Sequence, residues 1–536
     1  MTRRCAFIRR TVGCGLSVIL LGALLAGVRS EVLRFSAAEG PRDSLRFRGF
    51  ETTFQPRLDP AKGEMVFITQ QLFDGLVRLD ADLKIVPDLA EYWDITEGGK
   101  CYTFYLRRGV RFHDGRELSV DDVVYSFTRL LRRESESPFG RYLIDKVEGA
   151  EDFVQGRTAA VAGFRKLDPF IFEVKWRNPY VSALSLLSMS FCRILPQKAM
   201  EEDGRNFFFH PVGSGPFKFD SWIRSPQLDI VGVRLVRNLS YHGRIPKIAA
   251  LEYSPYYTAD HFAARDADVM PYSSDLARLG CQVVEGGDLD VAFLLMSCAN
   301  PPFDRARVRR AMALIIDKEK LAQAAASDSV RPRPSDNFIP AKLPGFFPDI
   351  ASGTPDPGRS LQILEEEGYF QTKAFPGVVL YIPLGGKAAW ASVGRELVRQ
   401  FEARRLSLEV KTYRNLDELK EVRRPFFVLG ERSMDYPDAE NIIQPLFGKS
   451  SDLRWLTAEF PGPDFDKLNE AAVLEAGRTR RLQLFREMEQ IIRRDVPGVP
   501  LFTIERRLAV QANVRGVRIP PLGVSYIDLR DAAFIR

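Results

Sequence analysis

The 536-residue chain holds only four histidines, His113, His210, His242 and His261. None stands at HxxxH or HExxH spacing and none lies near a cysteine pair, so a zinc site is not expected, and no metal ligand is nominated. There is no CxxC, no GxGxxG after a strand, and no P-loop. The one glycine-framed serine, in Pro211-Val212-Gly213-Ser214-Gly215-Pro216, has no following Lys-Ser/Thr and is not the GxSxG of a serine hydrolase, so it reads as a tight turn between domains. No nucleophile with a base partner can be named, and no cofactor is called for. A secreted hydrolase remains only as the rival class. After the first thirty residues no apolar run is long enough to span a membrane. Charge of one sign is also lacking. The net charge is +6, five arginines fall in residues 1–30, and the remainder is 6 − 5 = +1, which gives no argument for a nucleic-acid partner.

What is present starts with a leader. Arg3, Arg4, Arg9 and Arg10 precede an apolar or small stretch from Val12 to Val28, the pattern of a signal peptide over residues 1–30. A cut after Ser30 satisfies the small-residue rule, and a cut after Ala26 is the second choice. Leu25-Ala26-Gly27 begins like a lipoprotein box, but Val28 stands where cysteine is required. A free periplasmic protein is therefore expected rather than a lipid-anchored one, with an uncleaved anchor as the alternative. Outside the leader lie Cys101, Cys192, Cys281 and Cys298. In an oxidising compartment these allow three pairings, and buried free thiols are an equal alternative.

The length implies two or three domains, and the apolar and charged fractions of 45% and 27% are those of a soluble globular protein. The most ordered stretch is Phe104 to Leu131. Phe104, Leu106, Val110 and Phe112 sit near period-two spacing and predict a strand. His113-Asp114-Gly115 predicts a turn. Ser119 with Asp122 three residues on predicts a helix start, with Asp in place of the usual Glu or Gln of a capping box. Val123, Val124, Phe127, Leu130 and Leu131 then form one apolar helical face. A first strand is predicted over 32–36, a helix over 64–79, and a strand hairpin over 167–176. Further along, a helix carries Val308, Ala311, Met312 and Ile315 on its buried face with its arginines solvated. Residues 330–358 read as a long loop, and Leu361–Tyr369 as a short helix with Gly368 as C-cap candidate. Strands are predicted at 378–382, 408–413, 426–429, 497–503 and 508–510, and helices at 388–404, 465–475 and 480–494.

These residues resemble the family 5 extracellular solute-binding proteins, the peptide- and nickel-binding partners of bacterial ABC importers. The resemblance rests on Arg107 to Gly115, on Asp122 to Phe127, on Pro211 to Phe217, on Pro301 to Lys318, and on Met434-Asp435-Tyr436-Pro437-Asp438. It runs from about residue 33 to about residue 530 and weakens between Tyr253 and Asp290, which looks abbreviated. The resemblance implies an α/β, two-lobed periplasmic binding protein fold with a hinge. Lobe I would comprise 31–60, 195–289 and 498–536, an inserted smaller domain 61–194, and lobe II 290–497. The implied function is peptide capture between the lobes and delivery to an ABC permease in the inner membrane, by a monomer and not by an enzyme. A nickel chelate, sugar or opine-like solute is the alternative cargo.

In the peptide-binding branch the aspartate before tyrosine pairs with the ligand's α-ammonium, and Asp435 is the matching position, followed by Tyr436. An ionised carboxylate in a closed cleft binds an ammonium by a charge-assisted bond. Asp438 is the lesser candidate. For the ligand's carboxylate, Arg414, Arg432 and Lys387 stand as alternatives.

Overall fold

The computed structural model describes residues 43–535, apart from 344–353, 385–387, 450, 458–459 and 461. The leader, the strand expected over 32–36 and Lys387 lie outside the described residues.

An eleven-stranded mixed sheet runs through the molecule. Its path is Leu408–Tyr413, Val378–Pro383, Phe426–Ser433, Gln282–Met296, Gly498–Val510, Val269–Pro271, Ser44–Phe47, Ala250–Tyr253, Ile230–Arg237 and Phe217–Arg224, with Val330–Pro334 also pairing with Gly498–Val510. The two longest strands, Gln282–Met296 and Gly498–Val510, are antiparallel and pair from Gln282↔Val510 to Leu295↔Gly498. They join the two halves of the sheet. The register shifts between Gly287 and Val291, and Gly287 takes φ +93°, a conformation glycine adopts at little cost.

Side-chain alternation explains the layering. In Gln282–Met296, Ala292, Leu294 and Met296 enter one hydrophobic cluster, while Val291, Phe293 and Leu295 enter another. Val379 and Tyr381 face away from Val378, Leu380 and Ile382 in the same way. Residues 291–296 and 378–382 are buried on both faces, so they read as near-continuous apolar runs. In the other half, Leu45 and Phe47 of the first described strand pack with Leu251, Tyr253 and Phe67. The result is the two-lobed α/β fold expected from the sequence.

A separate antiparallel sheet, in the order Ala90–Thr96, Cys101–Leu106, Ile171–Lys175, Phe164–Asp168, is covered by the helix Val120–Leu131. Phe127 of that helix stacks on Phe172 at 5.8 Å and tilts against Phe164 at 5.6 Å. The helix start is as predicted. Asp122 accepts the Ser119 N–H at 3.0 Å, closing a capping box. The same buried carboxylate also takes Arg116 Nη2 at 2.9 Å and the Gln197 N–H at 2.9 Å, so one cap fastens three segments.

Several sequence expectations need correction. The helix over 64–79 is only Val66–Leu72, followed by the strand Val77–Leu79. Phe73 is extended, and the Gly75 N–H bonds the Asp88 carboxylate at 3.1 Å, which draws the chain out of the helix. The strand from Phe104 ends at Leu106, because Gly109 at φ +75° turns the chain; Val110 and Phe112 stay buried in the loop. Residues 330–334 form an edge strand, not loop. The last two strands are one, Gly498–Val510. Arg309 is not solvated: it is buried and donates to the carbonyls of Phe303 at 2.7 Å and Asp495 at 2.9 Å. Asp495 ends the helix Arg478–Asp495, where carbonyls lack partners within the helix. All four described cysteines are free thiols, and Cys101, Cys192 and Cys298 are buried.

Candidate ligand-binding site

The strand Phe426–Ser433 delivers its C-terminal end to a turn carrying Met434, Asp435 and Tyr436, which leads into the helix Glu440–Phe447. The turn is locked by Asn441, whose side-chain oxygen accepts the Asp435 N–H at 2.7 Å. Arg432 Nε donates to the Asn441 carbonyl at 3.0 Å, and its Nη2 lies 3.5 Å from Asp435 Oδ2. The structure therefore brings Asp435, Tyr436 and Arg432 together. Arg414 does not join them. It is exposed at the end of the outermost strand, and its backbone N–H bonds Glu418 at 3.1 Å.

The Asp435 carboxylate is 29% exposed. Its Oδ2 accepts the hydroxyl of Tyr142, which packs in the hydrophobic cluster of the smaller sheet and lies 293 residues away in sequence. Burial pushes the Tyr142 hydroxyl above its ordinary value, and the nearby Asp435 carboxylate pushes it further, so it remains a donor. Tyr142 stacks on Phe191 at 5.8 Å, and Phe191 on Phe139 at 4.3 Å. Arg141 sits over the Tyr142 ring at 5.1 Å. The carboxylate thus lies in an aromatic, cation-flanked setting with Oδ1 unengaged by any hydrogen bond among the described residues.

Tyr436 is fully buried rather than open to a ligand. Its hydroxyl lies 3.4 Å from that of Tyr180, and its ring meets Tyr142 edge-on at 5.9 Å. Asp438 is also committed: it takes Arg481 Nη1 at 2.7 Å. Arg481 further reaches Ser182 Oγ at 3.0 Å and Glu440 at 3.4 Å, while Lys146 lies 3.6 Å from Glu440. Burial raises the Glu440 carboxyl, and Lys146 and Arg481 pull it back. Tyr180 packs in the same hydrophobic cluster as the smaller sheet, and Lys146 and Ser182 flank it in the chain, so this network clamps that region to the Asp435 turn.

A cavity of about 490 Å³ does not include Asp435 in its wall. It is lined by Gln70, Asp74, Arg78, Asp88, Arg193, Tyr241, Tyr526 and Arg530, among others. Asp74 accepts the Tyr241 hydroxyl at 3.1 Å and faces His242 Nε2 at 3.1 Å. Burial alone would raise Asp74, but the His242 contacts outweigh it and hold the carboxyl low. Asp88, buried and facing Asp74, is pushed up to about 6. His242 is raised by Asp74 and Asp88 against the opposing effect of burial. Arg530 is held by Asp528, with Nε at 2.8 Å.

Two segments singled out in the sequence meet close by. His113 Nδ1 accepts the Gly213 N–H at 3.1 Å, and Nε2 faces the Gly215 carbonyl at 3.1 Å. Burial holds this imidazole at about 4, so it is neutral and Nε2 is the donor. The Pro211–Pro216 segment is thereby a fastened turn.

Tyr142, Arg193, Tyr526 and the Asp74–His242 pair were not found by sequence reasoning. They carry no local motif, and only long-range packing assembles them.

The sequence pattern of the bacterial extracellular solute-binding proteins, family 5 (middle region), matches residues 84–453. The dipeptide-binding protein of Escherichia coli (strain K12) is 24% identical over 551 residues, covering 96% of this chain and 97% of that protein. In three dimensions the open, unliganded form of the periplasmic murein tripeptide-binding protein MppA matches with a TM-score of 0.78 at 17% identity, over 93% of this chain and 98% of that one. The dipeptide-binding protein of Pseudoalteromonas sp. SM9913 in complex with Met-Leu matches with a TM-score of 0.69 at 22% identity, over 92% and 100%.

Proposed function

The chain belongs to the bacterial extracellular solute-binding proteins of family 5, and from that premise we propose that it captures short peptides for an ABC importer. The observation that carries this reading is the end-to-end similarity to a dipeptide-binding protein, which leaves neither chain with a large unmatched part. The site chemistry agrees with it. A half-buried carboxylate with one unengaged oxygen, beside aromatic walls, suits a peptide's α-ammonium. In this reading Asp435 binds the ammonium and Tyr436 acts indirectly, by holding the turn from beneath. Arg432 braces the turn, and the partner of the peptide's carboxylate is left open.

The lobes would close about the two long strands, near the register shift at Gly287 and Val291, with the domain limits given above. Export by the leader, release into the periplasm, a monomeric state and a permease partner belong to the same proposal. No described helix is long and apolar enough to cross a membrane.

The test is calorimetric titration of the mature protein with Met-Leu and with a tetrapeptide. Saturable binding of either supports the reading. Failure of both, with binding of a sugar or a nickel chelate instead, replaces it.

A further inference from the structure

We propose that the hairpin Val77–Pro87 is a stop at the hinge, with its tip, Leu83, docked on the far lobe so that it limits how widely the cleft opens. The proposal rests on the hinge placed above at the register shift, and not on which solute the cleft takes.

The hairpin spans two hydrophobic clusters. Its base is set in the cluster of the smaller sheet through Leu76, Val77, Leu89 and Ala90. The Leu89 N–H bonds the Gly75 carbonyl at 3.1 Å, and the Ala90 N–H bonds the Leu76 carbonyl at 3.0 Å, which closes the base. The tip is set elsewhere. Leu83 is 6% exposed and packs in the cluster of Leu289, Val291 and Phe293. Those three residues lie on the strand Gln282–Met296, at and just beyond its register shift, where its pairing with Phe426–Ser433 begins at Asp290↔Ser433. One short hairpin thus joins the two sides of the crossing without being part of it.

The tip reads Asp80-Ala81-Asp82-Leu83-Lys84, and Asp82 and Lys84 are exposed while Leu83 between them is buried. Leu83 has φ +61°, where the Cβ of an L-residue crowds the backbone and where glycine or asparagine is the common choice. Such a conformation persists only when its surroundings fix it. Asp80 does so: its Oδ1 accepts the N–H groups of Asp82 and Lys84, each at 2.9 Å, and its carbonyl accepts the Leu83 N–H at 3.1 Å. The strained turn delivers one apolar side chain from a polar tip to the far cluster.

The C-terminal segment backs the hairpin. Arg518 reaches Asp82 at 2.7 Å, and Leu522, like Leu79, packs against both clusters. The same segment lies on the hinge strand, because a Cβ on Gly286 would come within 2.3 Å of the Ile519 carbonyl oxygen. Spreading the lobes would draw Leu83 and Leu522 off the far cluster and expose apolar surface to water, which opposes the motion.

Small-angle X-ray scattering of the mature protein, freed of cargo by dialysis from mild denaturant, tests this on the wild type and on Leu83→Gly, Leu83→Asn and Leu83→Met. Glycine and asparagine accept the backbone conformation and remove the apolar tip, whereas methionine keeps it. Leu83→Gly and Leu83→Asn should raise the radius of gyration by about 1 Å or more, against ~24 Å for a compact chain of this length, with native circular dichroism retained; Leu83→Met should match the wild type. Glycine and asparagine curves that superimpose on the wild type overturn the proposal. Equal expansion in Leu83→Met overturns it too. Loss of native circular dichroism in both Leu83→Gly and Leu83→Asn does the same, because Leu83 would then hold the fold and not the angle.

Discussion

Replacing Asp435 by asparagine removes one charge and little volume. In the structure its Oδ2 already accepts Tyr142, and its Oδ1 is free to meet a ligand. At about 4 Å in a medium of effective dielectric near 20, an ammonium and a carboxylate attract by about 4 kcal/mol. Desolvation of the ammonium offsets part of this, and the 29% exposure of the carboxylate limits that cost. A net loss of about 2–4 kcal/mol follows, or roughly 30- to 1,000-fold weaker peptide binding. Asp435→Asn should be nearly as stable as the wild type, because Asn can still accept from Tyr142. Tyr142→Phe isolates the effect of that bond, and it should change affinity by less than about tenfold, since it leaves the charge in place. Calorimetry with Met-Leu reads both variants. If Asp435→Asn binds within about threefold of the wild type, Asp435 does not meet the ammonium and the site assignment is wrong.

Glu489 is buried, accepts the Ile339 N–H at 2.7 Å, and is pushed up to about 7 by desolvation. Its folded value lies above its unfolded one, so stability is full below pH about 4.5 and falls as pH rises through 7. The loss between pH 5 and 8 is about 2–3 kcal/mol; Glu489→Gln should remove most of that slope in urea melts, and an unaltered slope would show that Glu489 does not cause it. Gly213 has ordinary φ, but a Cβ there would lie 1.9 Å from the Leu72 carbonyl oxygen. Gly213→Ala should cost ~2 kcal/mol or more from overpacking, and a melting temperature within 1 °C of the wild type would contradict the close approach. Asp122→Ala removes the cap together with its bonds to Arg116 and Gln197, and should cost ~3 kcal/mol. A urea midpoint unmoved by that change would refute the fastening role.

Local signals were read correctly where the physics is local. Ser119 and Asp122 are three residues apart, so the capping box is visible in the sequence and present in the fold. The turn at Met434–Tyr436 was likewise legible, as was the buried strand before it. The sequence misled where tertiary contacts override pattern. Glu505, Arg506 and Arg507 interrupt the apolar run and suggest two strands. In the structure Glu505 takes Lys342 and Arg333, Arg506 reaches Asp290 at 3.4 Å, and Arg507 reaches Glu285 at 2.9 Å, so one strand continues through all three. Arg309 looked solvated because nothing in its own helix reveals the free carbonyls at the end of Arg478–Asp495. The candidate site was half legible. Asp435 stands in a recognisable segment, but its partner Tyr142 lies 293 residues away and carries no local motif.

The most direct test of the central claim is native mass spectrometry of the protein purified from its native host, before and after mild unfolding. Closed binding proteins retain ligand when dissociation is slow compared with handling. The account predicts added mass that is released on unfolding as a mixture of short peptides with free termini, and that is absent from Asp435→Asn. Release of a single non-peptide solute, retained equally by that variant, would contradict both the assigned cargo and the assigned residue.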